Sequence, residues 1–179
     1  MNVSALVHYA CWSHCIDLIG YFGSPIISLT ALASSGQRGR MESEQAVDVV
    51  ASFRTQDDAT GTIIGTLALD FSMPLFELTF NYEFGRLSLR DLDGDLEFID
   101  YRSHKIETYA LSRNTSRWEQ YNATFAASLR AYLASVRAGS PPPIPGIAGL
   151  AELQVEAAMK RSIRELRPVN LADEFPLEI

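Results

Sequence analysis

Residues 76–84 read Phe-Glu-Leu-Thr-Phe-Asn-Tyr-Glu-Phe, with a large apolar side chain at every second position and a polar one between. A period of two places Phe76, Leu78, Phe80, Tyr82 and Phe84 on one side of a strand and Glu77, Thr79, Asn81 and Glu83 on the other, whereas a helix would scatter them. One strand cannot bury such a side alone, so the chain must build a sheet and cover a face of it. The alternation also occurs upstream in 46–54, where Val47, Val49, Ala51 and Phe53 alternate with Asp48, Val50, Ser52 and Arg54. A further run, 62–71, follows the turn at 57–61, and 25–32 reads as a strand ahead of a polar loop, 33–45.

Downstream, Gly85 breaks the aromatic run and 86–92 forms another strand. Asp93-Gly94 is a tight-turn signal leading into 95–101, and 105–111 can add one strand more. Asp91, Asp93 and Asp95 have the spacing of the first ligands of a calcium loop. The sixth and twelfth positions are Leu96 and Arg102 instead of Gly and Glu, so a hairpin turn is the better reading.

The last third is helical. Trp118, Tyr121, Phe125, Leu129, Tyr132, Leu133 and Val136 recur at intervals of three and four up to Gly139. The segment 141–146, Pro-Pro-Pro-Ile-Pro-Gly, cannot be helical and predicts an extended strap. A second helix over 147–166 carries Leu150, Leu153 and Ala157 beside the stripe Val155, Ala158, Met159, Ser162 and Ile163, with Glu156 and Lys160 as an exposed pair one turn apart. The tail, 168–179, predicts a short extended segment and an irregular end.

The stretch 9–25 is apolar apart from polar residues that include His14 and Asp17, and it begins almost at Met1. As a helix capped by Gly23 with Pro25 beyond, it puts His14 and Asp17 on one face, within reach of a common ligand, and Cys11, Cys15, Leu18 and Phe22 on an apolar stripe. The polar pair must be hydrogen-bonded or functional. Tyr9, Trp12 and Tyr21 read as core or interface aromatics, and His8 and His104 as structural or surface residues.

The element order is a helix, five to seven mostly antiparallel strands, then two helices. It predicts an α+β fold in which an open sheet packs helices on one face and uses the other for association with a partner domain, a second subunit or both. A single domain spanning 1–179 is expected, long enough to bury about 70% of its unfolded surface.

The net charge of -7, with Lys105 and Lys160 as the sole lysines, argues against nucleic acid as a partner. Arg161, Arg164 and Arg167 cluster near a helix C-terminus, where positive charge is structurally favoured. His14, Asp17, Gly20 and Gly23 interrupt the N-terminal apolar run before it reaches a spanning length, so no membrane segment is expected. Cys11 and Cys15, four apart on one helix, lack further ligands at zinc spacing; buried free cysteines, no metal and a reducing cytoplasmic compartment are the expectation.

Three patterns, in order along the chain, resemble the C-terminal domain of the Gfo/Idh/MocA oxidoreductases, the family of glucose-fructose oxidoreductase and inositol dehydrogenase. His14-x-x-Asp17 followed by Gly23 is similar to that family's helix motif. Tyr82-Glu83-Phe84-Gly85-Arg86-Leu87 is similar to its turn Gly-x-x-Gly-x-Leu, with Tyr82 in place of the first Gly. Residues 149–162, followed by Arg167-Pro168-Val169, resemble its closing helix and the segment after it. The resemblance implies NAD or NADP bound mainly by an N-terminal Rossmann domain outside this chain, with this domain contacting a sugar, polyol or related CH–OH substrate and assembling the oligomer. It puts His14 where the family places its proton-handling or substrate-orienting His, and gives Asp17 and Tyr9 substrate-contacting or supporting roles.

Many members carry an Asp four residues before that His, and here the position is Ala10. No Gly-x-Gly-x-x-Gly sequence occurs, so the chain alone is expected to be inactive. The alternative is a non-catalytic ligand-binding or protein-interaction module that keeps the fold. An unrelated α+β enzyme using His14 and Asp17 is a third possibility.

Overall fold

In the computed structural model the alternating segments form one nine-stranded sheet. The structure describes residues 1–8, 12–34, 48–66, 76–91, 94–110 and 116–177, without the side chains of 2–8, Trp12 and Arg117. Tyr9, Ala10, Cys11, the loop at 35–47, the end of the 62–71 run and Asp93 lie outside the described residues.

In chain order the elements are β1 (Asn2–His8), α1 (Trp12–Phe22), β2 (Ile26–Ser34), β3 (Asp48–Thr55), β4 (Thr60–Thr66), β5 (Phe76–Tyr82), β6 (Gly85–Arg90), β7 (Leu96–Asp100), β8 (Lys105–Tyr109), α2 (Arg117–Ala138), α3 (Gly146–Glu165), β9 (Val169–Asn170) and α4 (Leu171–Glu174). Across the sheet the strands run β8-β7-β6-β5-β1-β4-β3-β2-β9. Every neighbouring pair is antiparallel except β1 and β4. This is the α+β open sheet that the pattern predicts.

Sequence reasoning missed β1. It lies at the middle of the sheet, hydrogen-bonded to β4 on one side and β5 on the other. Its direction is also that of β2, so α1 is a crossover between two parallel strands of the same sheet, and this fixes α1 against the sheet. The tail likewise holds the short helix α4, capped by the Asn170 side chain, where an irregular end was expected.

Strand β3 alternates strictly between exposed and buried residues. Val49, Ala51 and Phe53 join Leu29, Ala31, Ile63, Phe76, Leu78 and Phe80 on the covered face, beneath α1 and α3. From α1 the buried residues are Cys15, Ile16 and Ile19, while Phe22 of the expected stripe is half exposed. From α3 they are Val155, Ala158, Met159 and Ser162; Leu150 and Leu153 remain exposed. The most aromatic part of the sheet is therefore core, and the face left for association is the other one. On the open face the cross-strand rows are Leu32–Val50–Ile64 and Thr30–Ser52–Thr62, continued by Thr79–Ser88 across the sheet.

Helices do not all pack on the sheet. α1, α3 and α4 do, whereas every described side chain of α2 except Gln120 and Ser135 is exposed. Its ends are closed locally. The Ser116 hydroxyl accepts from the Trp118 N–H and Glu119 reaches back to the Ser116 N–H, while Gly139 stops the helix in the left-handed region at φ 62°.

The Ser162 hydroxyl, fully buried, accepts from the Ala31 N–H at 2.9 Å and donates to the Arg167 carbonyl at 2.6 Å. It thus ties α3 to β2 and to the chain that turns back into β9. Around that turn the arginines pair with carboxylates: Arg167 makes a two-pronged contact with Glu174 at 2.7 Å, and Arg161 reaches the same carboxylate at 3.1 Å. The Arg167 hydrogen bonds, helped by Arg161, hold Glu174 down at about 2.

Two outcomes follow. Ser162→Ala strands a buried N–H and a carbonyl, so urea unfolding should show a loss of about 1–3 kcal/mol at unchanged slope. Glu174 ionises more easily folded than unfolded, so its contribution is present above the ordinary carboxyl range and lost as the pH falls toward about 2. Glu174→Gln should lower the melting temperature at neutral pH, and the difference from wild type should close at that acid limit.

Candidate functional site

α1 and α3 lie against each other on the sheet, and the proline strap that leads into α3 closes one side of the gap between them. The result is a groove of about 260 Å³. Ile16, Ile26 and Val155 supply apolar lining, and Tyr21, Pro143 and Ile144 also border it. Proline suits the strap because it needs no hydrogen-bond partner for a missing N–H and holds an extended backbone at little entropic cost.

The polar groups at the groove come from both helices. Asp17 of α1 and Glu152 of α3 are half-buried there. Gln154 also borders the groove, but its amide donates to the carbonyls of Phe175 and Leu171 and so anchors the tail. Burial, then the charge and hydrogen bond of Glu156 one turn on, then the charge of Asp17, push the Glu152 carboxyl up. The groove thus holds two interacting carboxyl groups against an apolar wall, an arrangement suited to hydrogen-bonding hydroxyls of a small polar molecule.

Of the residues expected from sequence, Asp17 lines the groove and His14 does not. His14 is exposed, one turn nearer the start of α1, with no hydrogen-bond partner among the described residues. Tyr9 lies outside the described residues. Glu152 was not anticipated as a site residue; the signal that could have found it is the pair Glu152 and Glu156, like charges one helical turn apart. Cys15 is fully buried and in no disulfide, and no cluster of metal-ligating side chains occurs among the described residues. Among those residues no helix is long and apolar enough to cross a membrane.

Among the described residues, the starts of α2 and α3 do not fit a dinucleotide. Its pyrophosphate needs a glycine-rich turn from a strand into a helix N-terminus. α3 instead follows the proline strap and has no side-chain cap, while the start of α2 is occupied by the Ser116 and Glu119 side chains. The groove's carboxyl pair would repel the phosphates.

The fold itself is shared with solved oxidoreductases. No family model matches the chain, and no curated protein matches it in sequence. An oxidoreductase from Agrobacterium radiobacter in complex with NAD+, L-tartaric acid and magnesium is similar with a TM-score of 0.78 and 12% identity, over 97% of this chain and 57% of its own. Levoglucosan dehydrogenase in complex with NADH and L-sorbose is similar with a TM-score of 0.76 and 12% identity, over 95% of this chain and 57% of its own. Aldose-aldose oxidoreductase from Caulobacter crescentus, complexed with glycerol, gives 0.73 and 13%, over 94% and 55%. At these identities the likeness is one of fold, and the chain spans little more than half the length of those proteins.

Because Glu152 favours its neutral form in the folded protein, its ionised form opposes folding at neutral pH. Its favourable contribution is complete below the ordinary carboxyl range and is lost as the pH rises through the elevated value. Glu152→Gln should therefore raise the melting temperature at neutral pH and have no such effect in acid, as differential scanning calorimetry would show.

Proposed function

We propose that this chain is the substrate-binding and assembly domain of an NAD(P)-dependent oxidoreductase of the Gfo/Idh/MocA type, acting on a CH–OH carbon of a sugar, polyol or related molecule. The observation that carries the reading is the fold shared along nearly the whole chain with NAD- and NADH-bound oxidoreductases. The exposed His14 on α1, one turn from the groove carboxylate Asp17, supports it. The reading places the protein in the cytoplasm, which suits a buried Cys15 thiol outside any disulfide.

A nicotinamide, held by another domain, would supply the hydride acceptor. What this chain contributes is position and a proton site. Asp17 and Glu152 hydrogen-bond the hydroxyls of a substrate seated in the groove, and the apolar wall excludes water from it. His14, exposed one turn from Asp17, takes the proton of the hydroxyl being oxidised through a ring nitrogen and returns it in the reverse direction, a task for which imidazole is suited. The open sheet face, with its Ser and Thr rows and the Leu32–Val50–Ile64 row, assembles the oligomer. The second reading, a non-catalytic ligand-binding or interaction module, is favoured by Ala10 where the family's helix carries an Asp.

Joined to a dinucleotide-binding domain, the wild-type chain should support sugar- or polyol-dependent NAD(P)+ reduction, followed at the absorbance of the reduced nicotinamide. His14→Ala should lower the rate by about 10²-fold. An unchanged rate removes His14 from the mechanism, and no activity with any polyhydroxylated substrate favours the module.

A further inference from the structure

The groove between α1 and α3 is negatively charged and has no cation of its own. Asp17 enters it from one helix and Glu152 from the other, and none of the residues that line it is Lys, Arg or His. Glu156, one turn beyond Glu152, has Lys160 at 3.9 Å, but that lysine side chain is 66% exposed. Among the described residues no basic side chain pairs with Asp17 or Glu152. We propose that the groove selects a polyol carrying an ammonium group, with Asp17 and Glu152 holding the nitrogen, an inference that rests on the groove being the substrate site as proposed above.

Electrostatics gives the sign of the ligand. Two half-buried carboxyl groups beside an apolar wall have lost part of their water and repel each other. Burial, then Glu156, then Asp17 push Glu152 toward its neutral form, so the empty groove holds a cost that an entering cation removes. A hydroxyl in the same place relieves little of that cost, and a carboxylate or phosphate adds to it. An ammonium brings three N–H donors, enough to reach both carboxyl groups at once, and hydrogen bonds between ionised partners are the stronger kind.

The rest of the lining selects an organic cation over a bare metal ion. A calcium-type ion takes about six to eight oxygen ligands, and no group of three or more metal-ligating side chains occurs among the described residues. At about 260 Å³ the groove has the space of a small molecule instead of an ion. Ile16, Ile26 and Val155 suit the C–H side of a carbon skeleton, and Tyr21, whose ring stands at 88° to that of Phe22, presents an aromatic surface that attracts an ammonium. Where the strap enters α3, Pro145 provides no side-chain cap, so the first N–H groups of the helix are donors for hydroxyl oxygens. Donors at the helix start and carboxyl acceptors farther along match a molecule with hydroxyl groups along one part and an ammonium on another.

The test titrates the whole chain at neutral pH with glucamine, sorbitol and gluconate, polyols of equal carbon number that end in an ammonium, a hydroxyl and a carboxylate. Binding is followed by calorimetry and by ligand-observed NMR. Glucamine should bind at least about tenfold more tightly than sorbitol, and gluconate more weakly than either. Asp17→Asn combined with Glu152→Gln, with an intact thermal unfolding transition, should bring glucamine down to the level of sorbitol and leave sorbitol little changed. Equal affinity for glucamine and sorbitol, a preference for gluconate, an ammonium preference that survives the double variant, or no saturable binding of glucamine overturns the inference. Joining the chain to a dinucleotide-binding domain separates this from the function it rests on. Glucamine binding that depends on both carboxyl groups, with no NAD(P)+ reduction by any polyol, supports the cation site and removes the oxidoreductase reading. Reduction of NAD(P)+ by sorbitol without any ammonium preference does the reverse.

Discussion

The buried hydroxyl of Ser162 is the contact on which the arrangement of the site depends. It joins β2 to α3 across 131 residues of sequence and also holds the carbonyl of Arg167. β9 is two residues long and pairs with β2 at Ser28 and Leu29, so the ladder ends before Ala31. A donor left there inside the core would be costly, and the serine accepts its hydrogen bond. The same residue's carbonyl accepts from the Leu166 N–H at the end of α3, where the backbone turns left-handed. Helix, strand and returning tail are thereby fixed by one side chain and its backbone.

With α3 held in that way, the groove follows. α1 is set on the sheet by its role as a crossover from β1 to β2, and α3 by Ser162 and the apolar row Val155, Ala158 and Met159. The gap between the two helices receives Asp17 from one and Glu152 from the other. Burial first, then Glu156, and last Asp17 raise the Glu152 carboxyl, while the nearby tail carboxylate Glu174 is lowered by its arginines. Two glutamates of the same C-terminal region thus have opposite protonation tendencies, because one meets apolar wall and like charge and the other meets guanidinium groups.

Most of the elements were legible because their signals are local. The alternation of Val49, Ala51 and Phe53 and of Phe76, Leu78 and Phe80 needs no partner to be recognised, and neither do the Gly139 cap or the proline strap. β1 was missed because residues 2–8 carry no strong alternation; their strand state comes from pairing on both edges with β4 and β5. Asp17 was recognisable as a polar residue in an apolar helix. Glu152 was not, since a glutamate on an amphipathic helix ordinarily marks the solvent side, and only the approach of α1 makes it a groove residue.

The sequence by itself determined which segments alternate, which repeat at helical spacing, where chain direction must change, and that His14 and Asp17 share a helix. Only the tertiary structure decided that Asp17 enters a groove while His14 stays exposed outside its lining, that the aromatic side of β5 is core, and that the apolar side of α2 remains uncovered. The physical reason is that periodicity reports what a side of an element needs, burial, without naming what supplies it. Supply depends on segments far apart in the chain, as with Ala31 and Ser162, and on whether a neighbour is present to cover the face at all.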